Sequence, residues 1–201
     1  MNIINLNNLS FNISSIIFCL IVPSLVTGPF LPDLFLSIIA IYGLILTILH
    51  RNIKIFKKPF FILFILFYLY IFINSLFAEN ILNSLSSSLF YFRYLFFIIG
   101  GIYLLEKNIN LIKYFLYSFV LTFIFVIFDA LFQLFYGMNL IGFEKHGDRL
   151  SGIFGDEYIL GSYLSRLFPL LVGIFILIYK KPKKLFFYLL FLIFFTTIDV
   201  L

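Results

Sequence analysis

Long apolar runs divided by short polar punctuation dominate this chain. A membrane-spanning helix needs about 20 mostly apolar residues, because each residue rises about 1.5 Å through a hydrocarbon layer about 30 Å thick. Runs of that length predict a first helix over residues 9–26 and a second over 31–49, with Thr27, Gly28, Pro29 and Pro32 forming the turn between them. A third helix is predicted over 60–77. A fourth ends near Leu105, and its start is blurred by Asn83-Ser84-Leu85-Ser86-Ser87-Ser88, a stretch suited to the membrane interface. A fifth is predicted over 114–136 and a sixth over 158–179. A seventh begins at Leu185 and is still apolar at Leu201, which reads as the N-terminal part of a longer protein. The runs lack the alternation of a transmembrane barrel, and isolated strands would leave backbone groups unpaired in lipid. The expected fold class is all-α: a polytopic transmembrane helical bundle of about six complete spans plus a truncated seventh, forming a single transmembrane domain over 1–201.

Composition supports this. The chain is 63% hydrophobic and 11% charged, whereas a soluble domain carries about 45–50% apolar and about 25% charged residues. A water-soluble fold of this size has too much surface for its volume to hide such a chain, so lipid must solvate much of it. The net charge of +5 would suggest nucleic acid in a soluble protein. Here most of the basic residues occupy short loops, and topology accounts for them without a nucleic-acid partner. Arg51, Lys54, Lys57 and Lys58 follow the second run, Lys107 and Lys113 the fourth, and Lys180, Lys181, Lys183 and Lys184 the sixth. If helices alternate, these loops share one side, which the positive-inside rule makes cytoplasmic, together with the N-terminus. Cys19 is alone, which excludes an internal disulfide and a cysteine metal site. No phosphate-binding glycine loop, zinc helix or nucleophile elbow is present, so no cofactor or metal is expected.

The longest loop on the opposite, outer side covers 137–157 and concentrates Glu144, Lys145, His146, Asp148, Arg149, Asp156 and Glu157. It is either a polar site at the outer membrane face or an ordinary solvated loop. Asp156 and Glu157 suit the start of the sixth helix, where Asp156 would cap and both carboxylates would meet the helix dipole. Three charges fall inside predicted helices: Arg93, Asp129 and Arg166. Each would cost about 2.5–3.5 kcal/mol to insert, so each should face protein and find a partner. Asp129 and Arg166 lie about 10–12 Å from the outer ends of neighbouring helices and could pair. Arg93 has no evident acidic partner. The three form either a charged cavity open to the outside or, for Asp129 and Arg166, a structural bridge. In the sixth helix, Gly161 and Ser165 make a small face for close packing, and Pro169 is a tolerated interruption.

The stretch Arg149-Leu-Ser-Gly-Ile-Phe-Gly-Asp-Glu-Tyr-Ile-Leu-Gly-Ser-Tyr-Leu-Ser-Arg-Leu-Phe-Pro169 resembles the signature segment of the O-antigen ligase and polymerase family. There an outward-facing Arg-x-x-Gly-x-Phe segment leads into a helix with a small residue and often a proline. The matching residues are Arg149, Gly152, Phe154, Asp156, Gly161 and Pro169. The resemblance covers about the first half of a typical member. It implies a membrane glycosyltransferase acting on a glycan carried by undecaprenyl diphosphate at the periplasmic face of the bacterial inner membrane. The acceptor would be the lipid A core or another lipid-linked glycan, in lipopolysaccharide or similar polysaccharide biosynthesis. By this resemblance Arg149 binds the donor diphosphate, with Arg93 and Arg166 extending the electropositive pocket; Asp129, Asp156 and Glu157 are expected, from the residues themselves, to form a structural polar network. The family's second large outer loop, with its histidine, is missing, and His146 does not occupy that position, so this chain alone would be inactive. A transporter or flippase subunit for polyprenyl-linked or other anionic lipids is the competing expectation, because its cavity could use the same arginines.

Overall fold

The computed structural model describes residues 3–50, 56–145, 150–155, 157 and 159–179. Among these the protein is all-α, with α1 (Ile3–Ser24), α2 (Phe30–His50), α3 (Pro59–Leu76), α4 (Ile81–Leu89), α5 (Arg93–Lys107), α6 (Leu111–Tyr136) and α7 (Leu160–Ile178). Six segments are long and apolar enough to cross a bilayer: Ser10–Thr27, Phe30–Leu49, Pro59–Leu76, Ile81–Lys107, Leu111–Tyr136 and Leu160–Ile178. They match the six complete runs of the sequence and make this a multi-pass membrane protein. The run beginning at Leu185 lies outside the described residues. Lipid contact is evident on α3, which buries Phe61 and Ser75 but exposes Phe60, Leu63, Phe67 and Tyr70. Such a surface is stable only against hydrocarbon.

Local chemistry sets the helix ends. Pro59 opens α3 at a position where a fixed φ is favourable and an N–H would go unused. Asp33 stands in the first turn of α2, where a carboxylate complements the helix dipole. Gly137 closes α6 in the left-handed conformation, φ 76°, and its N–H donates to the Gln133 carbonyl at 2.9 Å. The fourth run is more regular than its serines predict. It comprises α4, one 3₁₀ turn over Phe90–Phe92, and α5. The hydroxyls of Ser86 and Ser87 donate back to the Asn83 carbonyl, so these two serines are satisfied within the helix. One capping expectation fails. α7 starts at Leu160, and its cap position is held by Ile159 with no side-chain cap; Asp156 lies too early for that role and outside the described residues.

The chain divides into two compact units, Met1–Phe18 with Asp33–Asn108, and Cys19–Pro32 with Ile109–Leu201. In the first, α2 and α5 meet backbone to backbone. A Cβ on Gly43 would lie 2.0 Å from the Phe96 carbonyl oxygen, and one on Gly100 would lie 2.7 Å from that of Ile39. Glycine alone permits this approach, the usual device for helix association in lipid. In the second unit, Phe119, Phe123, Val126 and Ala130 of α6 pack with Leu160, Leu164 and Leu171 of α7, together with Val22 and Leu150. The Ser118 hydroxyl donates to the Cys19 carbonyl at 2.7 Å, tying α6 to the end of α1. Gly161 is buried but Ser165 is exposed, so the small face is half used.

Candidate functional site

The loop after α6 is built on three buried polar side chains. Asp129 and Gln133 are one turn apart on α6 and share a face; Asn139 follows the Gly137 cap. All are almost completely buried. The Asn139 side-chain oxygen accepts from the backbone N–H groups of Ile141, Gly142 and Phe143 at 3.1, 2.8 and 2.7 Å. Its amide nitrogen donates to the Gly152 carbonyl at 2.6 Å. Gln133 accepts from the N–H groups of Ser151 and Gly152 at 3.1 and 2.8 Å and donates to the Ser151 hydroxyl at 3.2 Å. Asp129 accepts from the Leu140 N–H at 2.9 Å. Its second oxygen is buried without a hydrogen-bond partner among the described residues. A short backbone bridge between Met138 and Glu144 closes the first half of the loop.

These contacts stitch two stretches, 137–145 and 150–155, onto the end of α6. Gly142, Gly152 and Gly155 supply positive φ values where the chain doubles back. Gly152 also lies close to α6: a Cβ there would sit 3.3 Å from the Asp129 carboxylate. Leu150 and Ser151 are buried at the base of the loop. Arg149, the residue just before them in the chain, lies outside the described residues, as do His146, Asp148 and Asp156. Glu144 and Glu157 are exposed.

The expected Asp129–Arg166 bridge is absent among the described residues. Asp129 turns inward to the loop backbone, whereas Arg166 lies on an exposed face of α7. Equal depth along two helices does not place side chains on facing sides. Arg93 is corrected in the opposite direction, since it does have an acidic partner. In the first unit its guanidinium forms a two-pronged ion pair with Asp33, with one prong a 2.8 Å hydrogen bond, and it reaches the Ser37 hydroxyl at 3.4 Å. Its carbon centre also lies 5.4 Å from the Tyr94 ring. Because Asp33 is in the first turn of α2, the pair sits near a helix end and not at mid-membrane.

Sequence reasoning missed Gln133, Asn139 and Asp33. Neutral amides carry no charge to flag them, although Gln133 stands one turn from Asp129 in an otherwise apolar helix. The Asp33–Arg93 pair yields an expected result. Arg93→Ala and Asp33→Ala should be non-additive in thermal stability by about 1 kcal/mol, the upper range for a partly exposed pair. An equivalent cycle on Asp129 and Arg166 should be additive. Additivity at Asp33 and Arg93 would remove the ion pair.

Compared with known proteins, the chain matches no family model, no curated protein and no solved structure.

Proposed function

We propose that this protein is a membrane glycosyltransferase of the O-antigen ligase and polymerase type, or the N-terminal part of one. In this reading it lies in the bacterial inner membrane with its N-terminus cytoplasmic and the loop after α6 periplasmic. The observation that carries the proposal is the Arg149–Pro169 segment, whose Ser151 and Gly152 are held by Gln133 of α6, with Asn139 of the loop also on Gly152. A rigid base is what a residue that must meet a diphosphate requires. Guanidinium stays charged and matches phosphate oxygens in two-pronged fashion.

The donor is a glycan on undecaprenyl diphosphate, and the acceptor is a hydroxyl of the lipid A core or of another glycan. The acceptor oxygen bonds to the anomeric carbon as the bond to diphosphate breaks. The electron pair leaves on the carrier diphosphate, and the acceptor proton passes to a base or to water. Arg149 stabilises the negative charge gathering on the leaving diphosphate. Arg166, exposed on α7 of the same unit, adds positive charge. Arg93, whose charge Asp33 balances, takes a structural part.

In the full-length protein, Arg149→Ala should lower glycan transfer by about 100-fold or more, with membrane insertion and abundance unchanged. Normal surface polysaccharide in that strain would refute the assignment, as would labelling of position 149 from the cytosolic side.

A further inference from the structure

The serine-rich stretch finds no use in glycan transfer at the loop after α6, yet it lines the larger of two adjoining cavities in the first unit. Ile71, Asn74 and Ser75 at the end of α3, and Ala78 in the turn beyond it, line one wall. Ser84, Ser87 and Ser88 of α4 and Tyr91 of the 3₁₀ turn that follows line the other, at steps of three, four and seven. A hydrogen bond of 3.0 Å from Ser88 to Ser75 fastens the walls together at the floor. The cavity is about 520 Å³, and a neighbour of about 330 Å³ shares Ser87 and Tyr91 with it. Both fall in the range of small-molecule sites, about 300–1,000 Å³.

The polar groups of the larger cavity are hydroxyls and amides, all uncharged. Among the described residues the side-chain amides of Asn74 and Asn83 make no hydrogen bond, and both are exposed. The exposed Tyr91 ring, 5.0 Å from that of Tyr94, adds an apolar platform with a hydroxyl at its rim. Arg93 borders the smaller cavity, but Asp33 balances its charge. Glu79, in the connecting turn, disfavours anions.

We propose that this α3–α4 groove binds the neutral, hydroxyl-bearing headgroup of a membrane glycolipid. Amides and hydroxyls exchange donors and acceptors with a sugar's hydroxyls, and the phenol ring covers its C–H face. The position at the helix ends leaves the acyl chains along the apolar flank of α3. This inference stands on the groove alone and is independent of the transfer reaction proposed for the second unit.

The test is lipid retention by the whole chain in phosphatidylcholine nanodiscs doped with monoglucosyl-diacylglycerol, read by native mass spectrometry. Diacylglycerol and phosphatidylglycerol serve as comparison dopants. The glucosyl lipid should be retained about tenfold over either, the effect of one or two neutral hydrogen bonds. Asn83→Leu with Ser87→Leu, both exposed, should reduce it to the diacylglycerol level without lowering the melting temperature. Asn74→Leu, on the facing helix, should do the same and serves if the double variant unfolds. Undiminished retention in a folded variant, or retention of phosphatidylglycerol equal to that of the glucosyl lipid, would overturn the proposal.

Discussion

Gly43→Ala should leave little folded protein, whereas Gly173→Ala should be at least as stable as the parent. Each adds one methyl group to a helical glycine. At Gly43 the new carbon falls 2.0 Å from the Phe96 carbonyl oxygen and 2.8 Å from the Gly100 nitrogen. Those atoms are backbone and cannot rotate away, so α2 and α5 must separate and lose the packing of Ile39 on Gly100. Overpacking of cores costs about 1–3 kcal/mol where side chains can adjust, and this site should exceed that range. At Gly173 nothing lies within 4 Å of the added carbon, and alanine improves helix propensity by up to about 1 kcal/mol. Thermal unfolding of detergent-purified protein, followed by size-exclusion chromatography, separates the cases. Equal stability of the two variants would mean that α2 and α5 do not meet at Gly43.

Gln133→Leu should release the loop while sparing the α6–α7 core. The leucine fills much of the volume but removes the acceptor for the Ser151 and Gly152 N–H groups and the donor to the Ser151 hydroxyl. Each buried group left unsatisfied costs about 1–3 kcal/mol, so the loop should open well before the helices part. Asn139→Ala should act similarly by freeing the N–H groups of residues 141–143. Hydrogen exchange should accelerate by at least about tenfold at the amides of 139–143 and 151–155 and change little across 119–130, as local opening requires. If exchange rises uniformly along α6, the amides are helix-packing residues and not anchors of the loop. Under the proposed function, the same variants would also lower glycan transfer if Arg149 depends on that base.

The helices were legible because lipid leaves the backbone so few choices. A 20-residue apolar run in hydrocarbon must satisfy its own hydrogen bonds, so run length alone located the six spans. The burial of Asp129 could likewise be read from its cost in an apolar helix. Its partner could not. Counting residues gives depth along an axis, but contact also depends on rotation about it. On α7 the buried residues are Leu160, Gly161, Leu164 and Leu171. Arg166 follows Leu164 by two residues, which turns it about 200° away from that face. Arg93 and Asp33 are separated by 60 positions, and no local pattern links them. The available cue was Asp33 itself, a lone acid in the first turn of an apolar helix. The hydroxyls of the serine run obscured a helix that they help to satisfy.

The hydrogen bonds that hold the loop after α6 fall mostly on its main chain, beside the apolar packing of Leu150, Ile153 and Phe154. Amides 140 to 143, 151 and 152, and the carbonyls of Phe143 and Gly152, meet Asp129, Gln133 and Asn139. The outward side chains of Leu140, Ile141 and Glu144 contribute nothing to that grip. Its contour and its decoration are therefore separable. Apart from the glycines that need positive φ and the inward Leu150, Ser151, Ile153 and Phe154, the residues it displays can be exchanged to suit a different partner while Asp129, Gln133 and Asn139 hold the backbone.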